Sequence, residues 1–152
     1  MYVCDSDNNH IQVFDTDLNF IQSIDSPGLG MEKFNKPYDL DFDSQGKAYV
    51  ADSRNNRIVL DTCSCGWNAK RFDEGEEKLD MPRAIHVIGE FIYVSDWGHD
   101  RIVVYRTSGH FVTSFGKRGE RKGELREPYG ITSDQDGLVY VADHSNNRVQ
   151  VF

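Results

Sequence analysis

Residues 128–152 read PYGITSDQDGLVYVADHSNNRVQVF, and that stretch decides the fold. Its apolar residues come in short runs broken by turn chemistry, the pattern of half-buried antiparallel strands rather than of a helix. Asp134-Gln135-Asp136-Gly137 separates the first two runs, and Gly there supplies the positive φ of a tight hairpin. Working outward, the core of the stretch recurs three more times. YVCDSDNNHIQVF begins at Tyr2, YVADSRNNRIVLD at Tyr49, YVSDWGHDRIVVY at Tyr93 and YVADHSNNRVQVF at Tyr140, so the tyrosines step by 47, 44 and 47 residues. Pro37, Pro82 and Pro128 step by 45 and 46. Two markers with one period identify an array of repeats.

Each full period holds four strands. In the second they are expected near Tyr38–Phe42, Ala48–Ala51, Arg57–Leu60 and Trp67–Phe72. The chain therefore reads as all-β, a single run of four-stranded antiparallel units over 1–152: 1–36 in part, 37–81, 82–127 and 128–152 in part. Such units bury their faces on one another in a radial β-propeller. The first period lacks its first strand and the last its fourth, which gives an expected 14 strands against about 24 for a closed ring of six. The expectation is an open arc of about three and a half blades, completed by missing chain or by oligomerisation.

The order proline, short strand, Asp-x-x-Gly, Tyr-Val-Ala-Asp, Asn-Asn-Arg, apolar strand resembles the NHL repeat, and the likeness extends over almost the whole chain. Among proteins with NHL repeats it most resembles the C-terminal region of animal TRIM-NHL (tripartite-motif) ubiquitin ligases. The resemblance implies a propeller that binds protein or RNA through its loops. It also implies a rival, since a variant NHL propeller forms the peptide-amidating lyase, a metal-dependent enzyme. His10 replaces the arginine of the other periods (Arg57, Arg101, Arg148), and His99-Asp100 replaces Asn55-Asn56.

With 38% hydrophobic and 28% charged residues the composition is globular, and no stretch has the roughly 20 apolar residues of a membrane helix. No membrane association is expected. Met1 runs directly into a repeat, which reads as lacking a leader. Three cysteines (Cys4, Cys63, Cys65) cannot all pair internally, and Cys63 and Cys65 stand too close in sequence to pair readily, so a reducing, cytoplasmic setting is expected. The net charge of −8 opposes general affinity for phosphate backbones.

The recurrent pairs Asp52/Arg57, Asp96/Arg101 and Asp143/Arg148 read as stitches for the turn between second and third strands, because a ligand site would not be copied in every unit. Asp5-Ser6-Asp7-Asn8-Asn9 alternates oxygen ligands but lacks the Gly and Glu of an EF-hand loop, and no zinc spacing is present. No metal or cofactor is expected. The five histidines fall on different strands and turns, with no local nucleophile frame, so no catalytic residues are assigned.

The units differ most in the loops that lead into each proline. The first is neutral, residues 73–80 carry five acidic residues against Lys78, and residues 117–126 carry Lys117, Arg118, Arg121, Lys122 and Arg126 against Glu120 and Glu124. Each loop keeps an apolar residue three before the proline (Phe34, Leu79, Leu125), expected to pack on the scaffold. The five cations of the third loop are the candidate partner-binding residues, for a protein first and for RNA second. The chain itself is expected to be a non-catalytic binding module. The RING domain of a parent ligase would lie outside these residues.

Overall fold

A computed structural model describes residues 1–24, 33–60, 70–72 and 78–152. Among these residues there are fourteen strands: β1 (Tyr2–Asp5), β2 (His10–Phe14), β3 (Phe20–Ile24), β4 (Pro37–Phe42), β5 (Ala48–Asp52), β6 (Arg57–Leu60), β7 (Lys70–Arg71), β8 (Pro82–Ile88), β9 (Phe91–Asp96), β10 (Arg101–Arg106), β11 (Phe111–Phe115), β12 (Pro128–Ser133), β13 (Val139–Asp143) and β14 (Arg148–Val151). They form four antiparallel meanders, β1-β2-β3, β4-β5-β6-β7, β8-β9-β10-β11 and β12-β13-β14. Neighbouring meanders pack through β1 and β4, β4 and β8, and β8 and β12. The opening strands β4, β8 and β12 thus line a common axis, as in a propeller, while β1, the second strand of its incomplete blade, meets β4 as β5 meets β8. The expected Trp67 strand start, with Cys63 and Cys65, lies outside the described residues.

The side-chain period of two explains why the middle blades are apolar on both faces. In β5, Tyr49 and Ala51 face the third blade while Val50 faces the first, and all five residues are buried. In β10, Val103 and Tyr105 join the same second-to-third seam, and Ile102 joins the third-to-fourth. Three seams result, each closed by the apolar residue of the incoming loop: Phe34, Leu79 and Leu125, which are 2%, 3% and 0% exposed. The first and fourth blades each have one neighbour, so Phe20 and Ile21 of β3 and Val149 and Val151 of β14 stay exposed. The hairpin glycines Gly46 (φ 78°) and Gly137 (φ 85°) occupy the left-handed region their turns require.

Candidate functional site

The first and third strands begin, and the second and fourth end, at one end of the propeller, so this end gathers the loops before each proline and the turns after each Asp. In the last three units a single 3₁₀ turn there closes on a residue in the left-handed region: Asn56 (φ 54°), Asp100 (φ 55°) and Asn147 (φ 53°).

The repeated Asp is the hub. Asp52 is fully buried; its Oδ1 accepts the Asn35 N–H (2.8 Å) and its Oδ2 accepts Asn55 Nδ2 (2.9 Å) and Arg57 Nε (2.7 Å). Asp96 repeats this with the Asp80 N–H (2.7 Å) and Arg101 Nε (2.8 Å), and His99 Nδ1, 2.9 Å away, stands in for the asparagine. In the first unit His10 Nε2 takes the arginine's place, 3.2 Å from Asp5 Oδ2. At Asp143, burial works to raise the carboxyl's pKa, but bonds from Asn146, Arg148, the Arg126 N–H and Gln150 outweigh it and hold the pKa below the usual range. These groups are saturated by their own blade, as turn stitches are.

The basic loop is built on the fourth stitch. Besides pairing with Asp143, Arg148 donates from Nη1 to the Glu120 carbonyl (2.7 Å) and from Nη2 to those of Arg121 (2.8 Å) and Glu124 (2.9 Å). Gln150 donates to the Glu124 carbonyl and accepts the Gly123 N–H. With its carbonyls turned inward onto Arg148, the loop presents its cations outward: the side chains of Lys117 and Arg118 are 78% and 76% exposed. The five candidate cations do not form one cluster. Lys117 and Arg118 join Lys78, His99, Arg101 and Ser114 around an open basin of about 500 Å³. Arg121 and Lys122 stand exposed beyond it, and Arg126 Nη1 lies 3.7 Å from Glu120. Lys78 belongs to the loop expected to be repulsive, whose residues 73–77 lie outside the described set.

Two arrangements escape motif reading because their members lie from about half a repeat to a full repeat apart. Asn9, Asn56 and Asp100 each accept, from the next blade, the N–H of the residue before the proline: Lys36 (2.8 Å), Met81 (2.9 Å) and Glu127 (2.7 Å). Those three donors are themselves non-glycine residues at positive φ (50°, 47° and 53°), strain that the clamp holds in place. Nearer the axis, His86 lies between Asp41 (Nδ1 to Oδ2, 3.1 Å) and Ser133 (Nε2 to Oγ, 3.0 Å). Carboxylate, imidazole and hydroxyl stand in the order of an acyl-transfer relay. Asp41 Oδ2 also accepts the Val87 N–H (2.8 Å), as Asp39 Oδ2 accepts that of Ile85 (3.1 Å), so these carboxylates satisfy the inner edge of the following blade. Among the described residues no group of three or more His, Cys, Asp and Glu could hold a metal ion.

A family model for the NHL repeat matches residues 125–152. Residues 125–152 are an NHL repeat. The match spans the basic loop's last turn, β12, β13, the Asp143 stitch and β14, so the Arg148 latch is built on the repeat itself. Among curated proteins, E3 ubiquitin-protein ligase TRIM71 of Rattus norvegicus is 51% identical over 41 residues, 27% of this chain and 5% of that protein. Protein lin-41 of Caenorhabditis elegans is 58% identical over 41 residues, 27% and 4%. Protein wech of Drosophila melanogaster is 41% identical over 51 residues, 34% and 6%. The chain resembles the NHL region of TRIM-NHL proteins, and its matched part is a small share of their length. Solved structures share the propeller fold. An auxiliary nutrient binding protein from Bacteroides ovatus superposes with a TM-score of 0.70 at 15% identity, over 97% of this chain and 44% of that one. Virginiamycin B lyase from Staphylococcus aureus gives 0.69 at 15% identity, over 99% and 50%. At such identities the likeness is one of fold.

Proposed function

We propose that this chain is the client-recognition module of a TRIM-NHL-type ubiquitin ligase, binds an acidic segment of a cytoplasmic protein partner and carries no chemistry of its own. The observation that carries this reading is the Arg148 latch. A loop whose backbone is fixed by three guanidinium-to-carbonyl bonds loses little freedom on binding, which favours the encounter. Its outward cations supply electrostatic complementarity to a negatively charged partner. Protein ranks above RNA because the chain as a whole carries −8. The test is affinity capture on the intact chain with and without ribonuclease, followed by direct binding of each captured species. Partners that survive ribonuclease and bind when purified support the reading; partners lost with the RNA transfer it to RNA.

A second reading, an enzyme on the same propeller, draws on the Asp41–His86–Ser133 relay and the lyase neighbours' fold. Hydrolysis of an activated ester that Ser133→Ala abolishes, or stoichiometric metal in the purified protein, would overturn the non-catalytic assignment.

A further inference from the structure

The position immediately after the repeat proline holds Tyr38, Arg83 and Tyr129 in three successive blades, and the three side chains converge near the axis at the end that carries the basic loop. The Arg83 guanidinium carbon lies 4.0 Å from the Tyr38 ring centroid, 5.0 Å from that of Trp97 and 5.3 Å from that of Tyr129. Tyr38 and Tyr129 meet edge to face at 6.4 Å, and His144 extends the aromatic rim 5.4 Å beyond Tyr129. Among the described residues Arg83 has no hydrogen-bonding partner, and its Nε and Nη1 are buried without an acceptor. Among the described residues no carboxylate pairs with it. The three stitch arginines, Arg57, Arg101 and Arg148, each have an acceptor.

Two guanidinium nitrogens buried without an acceptor are costly unless an anion completes the group. The rings already cover its faces, so what remains is the guanidinium's edge, reached from Nη2, since Nε and Nη1 are closed off from solvent. That edge suits a carboxylate. The surrounding turn also carries Asp80, Asp96 and Asp100, which oppose a chain of phosphates more than a single carboxylate. We propose that the Arg83 cage is a carboxylate-binding site that receives an Asp or Glu side chain, or the C-terminal carboxylate, of the partner protein. This rests on the protein-binding reading above and adds to it a specific anchor near the axis.

Arginine Nε–H resonances of the whole chain report directly on the site, without a substitution. Three short peptides are titrated: one with a single Glu and an amidated C-terminus, one with Gln in its place and a free C-terminus, and one with Gln and an amidated C-terminus. A short oligonucleotide is the fourth arm. The Arg83 signal, assigned by its loss in Arg83→Lys, is expected to shift with one or both carboxylate peptides, and which one names the source. The neutral peptide should leave it in place, and Arg83→Gln should weaken peptide binding roughly tenfold or more. Equal shifts with the neutral peptide, no shift with any, or a response to the oligonucleotide alone overturns the proposal. The Lys117, Arg118, Arg121 and Lys122 to Ser variant separates the two claims. If it keeps the Arg83 response and a verified partner's affinity, the loop reading fails and the cage stands; a silent Arg83 with a lost partner is the reverse.

Discussion

Asn56 Oδ1 accepts the Met81 N–H at 2.9 Å across the seam between the second and third blades, and both residues sit at positive φ. One side chain thereby closes its own turn and fixes the entry of the next blade. Asn56→Ala removes the acceptor and places a Cβ without local compensation in the left-handed region, so a loss of about 2–3 kcal/mol is expected. Asn56→Gly keeps the φ and loses only the bond, for about 1 kcal/mol. Urea unfolding of the two variants checks the order; equal losses would show that the positive φ costs nothing, and an Asn56→Gly variant as stable as the parent would show that the clamp contributes nothing.

Arg148→Ala should free the loop while leaving β14 paired with β13. The carbonyls of Glu120, Arg121 and Glu124 lose their donors, and trypsin should then cut after Lys117, Arg118, Arg121 or Lys122 several-fold faster than in the parent chain. Limited proteolysis with mass mapping gives the answer. An unchanged cleavage rate would mean that the loop holds itself.

Asp39 gives the pH dependence. Burial pushes its carboxyl above the usual range, with the backbone N–H groups of Ile85 and Leu40 pulling the other way and the Asp41 charge adding to the rise. Between the unfolded value, about 3.9, and the raised folded value, the native state holds a proton that the unfolded chain has released. Stability from this group therefore falls as pH rises through that window and is level above it. Asp39→Asn removes the slope, so the stability difference between variant and parent should move in the variant's favour from pH 4 upward. Unfolding free energies from pH 4 to 8 test it; a pH-independent difference would contradict the burial.

Phe20, Ile21, Val149 and Val151 leave apolar surface uncovered on the outer faces of the first and last blades. In isolation these 152 residues are expected to associate with rising concentration, as light scattering will show. A monodisperse monomer that unfolds cooperatively would mean that those faces are covered in a way the strand order does not reveal.

What the sequence made legible was local. The strand, turn and Asp-to-Arg spacing lie within a dozen residues, and the strand set of three, four, four and three followed from the repeat register. The seam plugs Phe34, Leu79 and Leu125 were also visible, because each keeps its distance from a proline. The Asn56 clamp, the His86 relay and the Arg83 cage were not, since their members stand on different blades, up to a full repeat apart, and meet only through radial packing. Their signal was present in the aligned repeats: Tyr38, Arg83 and Tyr129 share one register position. The histidines looked scattered because periodicity shows what one blade repeats, not what two blades bring together.

The central claim, that a latched basic loop recognises an acidic protein, is met most directly by the affinity of a purified, ribonuclease-resistant partner for the parent chain and for the Lys117→Ser, Arg118→Ser, Arg121→Ser, Lys122→Ser variant, measured from about 50 to 300 mM salt. The account predicts roughly tenfold or greater weakening at low salt and a flatter salt dependence, with thermal unfolding unchanged. Equal affinity and equal salt slope for the two proteins would contradict it.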